Sequence, residues 1–499
     1  MEKCRANGSK QRIEITFICL QSVEQRHTYI QICLLVALCA LSSIAVFVTW
    51  TAIYRKHINI PPKLNNIPDW MQQRSIAYAK HYHETSMYIP RVNNISNSSS
   101  ISAVKQLGNE RIYPSKYGNF IYTPSVEPSK VFKLVCYYTS PNSLAEPAVL
   151  YPKNIDPQLC THLNVGIVQI ADNVLVVDET LHEMFEQTKL LKARNKELKV
   201  LIWVGGFESS DFSEMTRTHA NRKQFIQSLK QNLELYRLDG VDLDWEFPSS
   251  RNRERQHFSQ LLHEIRREYQ REHRTYLLSV AVAAPEGIAF FAYDVAELNN
   301  YADYVNIMTY DYHFYSQVTP FTGLNSPLYK RHNENSMLSL LNINASVNYY
   351  VSQGLDKRKI VIGLPTYGHT FHLVNAFNTK IGAPSDDSGS IGEYGFVTYS
   401  ELCWFKQNNF FITSVFDVET CSPYLYTGNE WISYEDERSI ECKTNFIKSN
   451  GFGGAMLFSL NTDDFLSYCK TDYGDNNSSF PLARKMYSIL FDEDSNDTV

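Results

Sequence analysis

The chain of 499 residues exceeds what one small domain needs and suits an α/β barrel with added segments, or two to three smaller domains. Its 47 Lys and Arg against 53 Asp and Glu leave a formal charge of −6, which argues against the basic field of a nucleic-acid binder. Hydrophobic residues at 43% and charged residues at 20% exclude a disordered or collagen-like chain, and 32 Tyr and 27 Phe supply rings for a core and for a groove that stacks on flat ligands.

Residues 1–27 form a short segment that is expected to be cytoplasmic. From Thr28 to Tyr54 there is no charged side chain, and Ile32–Ile53 is almost wholly apolar. At about 1.5 Å per residue such a run spans a hydrocarbon core of about 30 Å as one helix. Arg26 and His27 bound it on one side and Arg55 and Lys56 on the other, with Trp50 and Tyr54 as interface anchors. The rival is a cleaved signal peptide, for which Ala37 and Ala40 offer small residues; the run is longer, and begins later, than a signal core of about 15 residues. Counting Lys and Arg on either side is nearly a tie. The cysteines are more informative: Cys4, Cys19, Cys33 and Cys39 lie before or within the run, and Cys136, Cys160, Cys403, Cys421, Cys442 and Cys469 beyond it. An even number on one side is what pairing in an oxidising compartment leaves. The glycosylation sequons at Asn94, Asn97, Asn344, Asn476, Asn477 and Asn496 fall on that same side. A single-pass type II protein with an extracellular or lumenal C-terminal portion is expected. Residues 55–129, with Pro61-Pro62, an Asn- and Ser-rich run and no sustained period, read as a flexible stem.

Residues 130–490 alternate short apolar runs with amphipathic stretches. Strands are expected at Lys133–Tyr138, Thr161–Gln169, Lys199–Val204, Gly240–Glu246, Tyr276–Ala283, Tyr304–Tyr310, Ile360–Tyr367 and Gly453–Leu460. They are rich in Val, Ile and Leu on both faces, as parallel strands covered by helices are. Helical periodicity covers Glu179–Arg194, Arg222–Tyr236 and Arg253–Arg271. The pattern predicts an α/β fold, a (β/α)8 TIM barrel, expected to be monomeric. The interval from the seventh to the eighth strand is too long for one helix and should hold a small α+β insertion at about residues 370–436. Residues 491–499 read as a frayed acidic tail.

The fourth strand carries the chemistry: Asp239-Gly-Val-Asp-Leu-Asp-Trp-Glu-Phe-Pro248. Side chains alternate on a strand, so Asp242, Asp244 and Glu246 share one face and Val241, Leu243 and Trp245 the other. If the apolar face meets the helices, three carboxylates point into the barrel, where desolvation and mutual repulsion favour protonation. Glu246 is last, at the strand end where barrel enzymes hold reacting groups, and can serve as a general acid. A surface-facing acidic strand and a carboxylate metal site are the two plainer alternatives. No His lies nearby at ligand spacing, so no metal and no cofactor is expected.

This segment resembles the signature of family 18 glycoside hydrolases, the chitinases and chitinase-like lectins. Further matches stand in order: Lys133–Tyr138, Leu159–His162, Leu198–Gly206, Met308–His313, Thr322–Tyr329, Gly363–Gly368, and Gly453–Met456 with Asp463-Asp464-Phe465. The resemblance implies that Glu246 protonates the glycosidic oxygen while the 2-acetamido oxygen of the substrate attacks the anomeric carbon, an exception to the usual two-carboxylate scheme. It implies that Asp244 orients that acetamido group, that Asp242 exchanges a hydrogen bond with Asp244, that Tyr310 donates to the acetamido carbonyl and that Asp311 binds the sugar. Gly205, Gly206, Phe207, Phe247, Met308 and Phe458 are the further substrate-binding candidates. Chitin or chito-oligosaccharides are the implied partners. Disulfides Cys136–Cys160 and Cys403–Cys469 are implied as well, leaving Cys421 and Cys442 as a third pair.

There are departures. Phe458 and Phe207 stand where the family places Trp, Phe314-Tyr315-Ser316 replaces Gly-x-Trp, and His369 occupies the place of an Arg after Gly368. Phe keeps a stacking face but loses the indole area and its N–H. No cysteine-rich chitin-binding module follows Cys469, which argues against processive attack on crystalline chitin. Two readings therefore stand: an endo-acting chitinase, and a weak or inert chitin-binding lectin using the same groove.

Overall fold

The computed structural model describes residues 132–140, 149–206, 211–250, 252–334, 336–392, 394–469 and 479–492. The expected anchor, the stem, five of the six sequons, the end of the acidic tail and Phe207 lie outside the described residues.

Eight parallel strands close a barrel: β1 Lys133–Thr139, β2 His162–Ala171, β3 Lys199–Gly206, β4 Gly240–Trp245, β5 Leu277–Ala283, β6 Tyr304–Met308, β7 Ile360–Pro365 and β8 Gly454–Phe458. Each pairs with the next, and β8 returns to β1, Lys133 opposite Gly454. The (β/α)8 architecture read from the sequence is the architecture of the molecule. Strand boundaries differ by a residue or two, chiefly at the C-terminal ends, where Glu246, Tyr310 and Leu460 have left the ladder for the loops. Helices α1 Glu179–Arg194, α2 His219–Tyr236 and α3 Glu254–Arg271 cover the early strands. Asp178 caps α1 by accepting from the Leu181 N–H, and Thr218 caps α2 through the Asn221 N–H. Short helices at Phe212–Arg217, Glu286–Ala292 and Val295–Tyr301 were not legible from periodicity, because each is two turns or less.

The alternation along each strand divides the core in two. Leu134, Cys136 and Tyr138 of β1 join the cluster between strands and helices, as do Val241, Leu243 and Trp245 of β4. Val135 and Tyr137 join a separate cluster inside the barrel with Leu201, Trp203, Tyr304, Tyr310, Val361 and Met456. Trp245 stacks on Phe212 with centroids 5.3 Å apart, which seats the outward face of β4.

The insertion is an antiparallel sheet of six strands, from Tyr367–Leu373 to Glu430–Ser433, with one helix, Tyr399–Asn408. It begins earlier than expected: a single residue, Thr366, separates β7 from its first strand. Glu437–Ser449 then returns along the barrel wall to β8, and Pro481–Phe491 packs against it. Asp463 anchors the start of that last helix by accepting from the Ala483 N–H at 3.0 Å. The six cysteines form Cys136–Cys160, Cys403–Cys469 and Cys421–Cys442.

Candidate active site

Asp242 sits midway along β4 with no exposed surface. Its Oδ2 accepts from the Tyr137 hydroxyl at 2.6 Å, and its Oδ1 accepts from Ser279 Oγ at 2.6 Å and Asn306 Nδ2 at 3.0 Å. Burial lifts this carboxyl to about 6 despite the opposing pull of those donors. It is a satisfied polar node in the middle of an apolar barrel.

Asp244 lies two residues nearer the strand tip, on the same face. Trp203 Nε1 donates to its Oδ2 at 3.0 Å, and its Oδ1 is buried with no protein partner. Burial first, then the Glu246 and Asp242 charges, hold Asp244 well above the ordinary carboxylate range. A buried acceptor without a donor is costly in a folded protein unless a ligand supplies the missing group. Glu246 follows at the mouth, partly exposed, and burial raises it to about 7. A carboxyl at that value is still protonated near neutrality and can give its proton away.

Glycine brings β3 close to this ladder. A Cβ on Gly205 would lie 2.1 Å from the Asp244 carbonyl oxygen, and its φ of +114° is strained for any other residue. Gly206, also buried, ends the strand beside Trp245.

Opposite the carboxylates stand Tyr310 and Asp311, in the loop after β6. Tyr310 is nearly buried, its hydroxyl 3.8 Å from Met456 Sδ, and its ring centroid is 5.5 Å from that of Phe458. Burial, then the charges of Asp244, Glu246 and Asp242, keep this phenol well above its usual value, so it remains a hydroxyl donor. Asp311 adopts φ 60°, a conformation that Asp tolerates better than most residues, and Asn325 Oδ1 accepts its N–H at 2.8 Å. Its Oδ1 accepts from the Tyr367 hydroxyl at 2.6 Å and lies 3.0 Å from His369 Nε2.

Phe458 forms the floor. Its ring lies 5.5 Å from Tyr137 and 5.7 Å from Trp203, and with Met308 it packs against the inner cluster. Phe247 does not join them. It packs, partly buried, against the cluster between strands and helices. Tyr137, Trp203, Ser279, Asn306 and Tyr367 were not singled out from the sequence. A signal existed for three of them: Ser279 and Asn306 are polar interruptions in apolar strands, and Tyr137 alternates with the outward Cys136 and Tyr138. Among the described residues no group of His, Cys, Asp and Glu is arranged to hold a metal.

A closed barrel whose fourth strand aims three acids inward defines the class, and the chain belongs to the glycosyl hydrolases family 18, whose profile matches residues 133–463. Chitotriosidase-1 of Mus musculus is 33% identical over 375 residues, covering 72% of this chain and 78% of its own. The group IV chitinase of Ostrinia furnacalis, solved in complex with allosamidin, superposes with a TM-score of 0.67 at 32% identity, covering 72% of this chain and 98% of its own. Human YKL-39, a pseudo-chitinase with retained chitooligosaccharide binding, gives 0.66 at 31% identity, covering 72% of this chain and 100% of its own. The family thus holds both hydrolases and binding proteins on one fold, and membership alone does not choose between them.

Proposed function

We propose that the chain is an endo-acting chitinase that cleaves β-1,4 linkages between N-acetylglucosamine units by substrate-assisted, retaining catalysis. The observation that carries this is the Asp242–Asp244–Glu246 ladder: a satisfied base, a middle carboxylate with an unpartnered oxygen, and a raised acid at the mouth. Glu246 gives its proton to the glycosidic oxygen as the C–O bond breaks. The acetamido carbonyl oxygen closes on the anomeric carbon, forming a cationic five-membered ring. The acetamido N–H is the donor that Asp244 Oδ1 lacks, and Tyr310 donates to the acetamido oxygen. Water then opens the ring from the face the leaving group vacated, returning a proton to Glu246 and retaining configuration.

Glu246→Gln keeps the shape and removes the transferable proton. Turnover of N-acetylglucosamine oligomers should fall by roughly 10²–10⁴ while oligomer binding persists. Unchanged turnover removes Glu246 from the mechanism. A second reading, a membrane-tethered lectin, is favoured by Phe458, whose phenyl ring offers a sugar less stacking area than an indole; binding without any turnover in the unaltered protein would establish it.

The type II topology supports substrate presented outside the cell or in a lumen. Three disulfides, the apolar run at residues 28–54 and the sequons favour it. A mature chain that begins at Met1 and resists carbonate extraction is expected; an N-terminus between Ala40 and Trp50 would mark a cleaved signal instead.

A further inference from the structure

We propose that the far end of the insertion's sheet is a membrane-contacting tip, where the exposed side chains of Val374, Phe377, Phe410 and Phe411 enter the headgroup region of a lipid bilayer. The proposal rests on the type II reading above for what brings the bilayer near; it does not depend on the chito-oligosaccharide reading.

Strand register gathers these residues from distant parts of the chain. Glu430 stands opposite His372 on one side and Thr427 on the other, and Tyr426 stands opposite Thr413. The end of Tyr367–Leu373, the turn at Gly428 and the start of Thr413–Asp417 therefore lie along one end of the sheet. That end points away from the barrel, because Tyr367–Leu373 begins one residue after β7 and delivers His369 to Asp311 near its start. Val374 follows that strand directly. Phe377 stands in the turn beyond, its N–H donating to Asn375 Oδ1 at 3.0 Å. Trp431 Nε1 donates to the Thr379 carbonyl at 3.1 Å and ties this loop to the sheet. Phe410 and Phe411 form the turn that leads into Thr413–Asp417. Three strand spacings of about 4.8 Å separate the two groups, roughly 15 Å in all.

Phe377 is 96% exposed, Phe410 94%, Phe411 89% and Val374 58%. A lone exposed ring is ordinary, but three at one sheet end leave apolar area in water that an occupant of the tip would cover. Charge selects the occupant. Residues 373–382, 402–416 and 423–429 hold no Asp or Glu, and their charged side chains are Lys380 and Lys406, which suit phosphate headgroups. The nearest acids on the edge strand, Asp386 and Asp387, lie one row back, Asp386 at 2.6 Å from His372 Nδ1. Shape agrees. Rings carried on turns across roughly 15 Å offer too little face for a standard protein interface, whereas a fluid bilayer covers each ring separately. Residues 28–54 hold no charged side chain over a length that spans a bilayer, and residues 55–131 can extend on the order of 250 Å, so the tether permits the contact. The insertion leaves the barrel at the C-terminal ends of its parallel strands, the rim where Glu246 follows β4. A docked tip thus holds the mouth of the site near the bilayer.

The test uses the full chain in phosphatidylcholine nanodiscs, with Phe411→Trp as reporter and acyl-brominated phosphatidylcholine as quencher. The emission that Phe411→Trp adds to the parent's should be blue-shifted, and should be lost when brominated lipid replaces the ordinary lipid. Leu235→Trp, at a 60% exposed position near the end of α2 on the opposite rim, should add emission that bromine leaves alone. Adding Phe377→Ser and Phe410→Ser to the reporter should restore much of its emission without moving the unfolding midpoint, since neither ring is packed in the core. A reporter that is not quenched, or quenching undiminished by the two serines, overturns the proposal. A blue shift that follows protein concentration and ignores bromination assigns the tip to a second copy of the chain and overturns it too. A mature chain lacking residues 28–54 would sink the type II reading; the same reporter, with brominated vesicles added to that chain, would still decide the tip.

Discussion

Two buried carboxylates, Glu435 and Asp244, are treated in opposite ways. Glu435, 1% exposed, meets the wholly buried Lys443 ammonium at 2.5 and 2.6 Å where the insertion returns to the barrel. Burial pushes the acid up and the base down, and each is opposed by its partner's charge. Asp244, 2% exposed, receives one indole N–H, faces two like charges and leaves an oxygen without a donor. The first carboxylate is completed by the fold. The second is left incomplete, and that incompleteness is what a substrate with an N–H can use.

If this contrast is sound, removing the partner of Glu435 should do the most harm to stability. Lys443→Met strands a buried charge and should cost about 3–5 kcal/mol in denaturant unfolding, most of it recovered by adding Glu435→Leu. A loss under about 1 kcal/mol would mean that water reaches the pair and that the two sites differ less than their geometry shows.

Asp244 should behave the other way round. Its raised value means the folded chain holds a proton that the unfolded chain has released, so stability falls as pH rises from the ordinary carboxylate range through the folded value. Asp244→Asn should therefore unfold later than the parent at pH 8, by about 0.5–2 kcal/mol, with the gain shrinking toward pH 4, while turnover is lost. Equal or lower stability at pH 8 would show that Asp244 is not strained.

Glu246 sharpens the comparison through rate. With its value at about 7, kcat/KM should fall about tenfold per pH unit above that point, since the free enzyme must hold the acid protonated. A limb near 4.5 would place the controlling proton elsewhere. The smallest effect is expected at the floor. Phe458→Trp should raise kcat/KM on oligomers by about 1 kcal/mol, near fivefold, if stacking is what the phenyl ring lacks. A folded variant with no gain would mark the pocket as shaped for a different glycan.

The barrel was legible because its signal is local. Val241, Leu243 and Trp245 alternate with Asp242, Asp244 and Glu246, and that period alone fixed which face meets the helices. What surrounds the acids was less legible, because it is assembled from distant strands. The donors to Asp242 come from Tyr137 on β1, Ser279 on β5 and Asn306 on β6, and no local window relates them. Phe247, beside the acid in the motif, follows the last residue of β4, and its partly buried ring packs against the cluster between strands and helices.

The short step from β7 into the insertion ties the subdomain to the sugar-binding side of the site. Tyr367–Leu373 pairs with Ser385–Asp387, Phe396–Thr398 and Glu430–Ser433, and the same strand delivers Tyr367 and His369 to Asp311. The subdomain is thus built into the site through its first strand. A chain without it would lose both groups on Asp311 Oδ1 at one stroke.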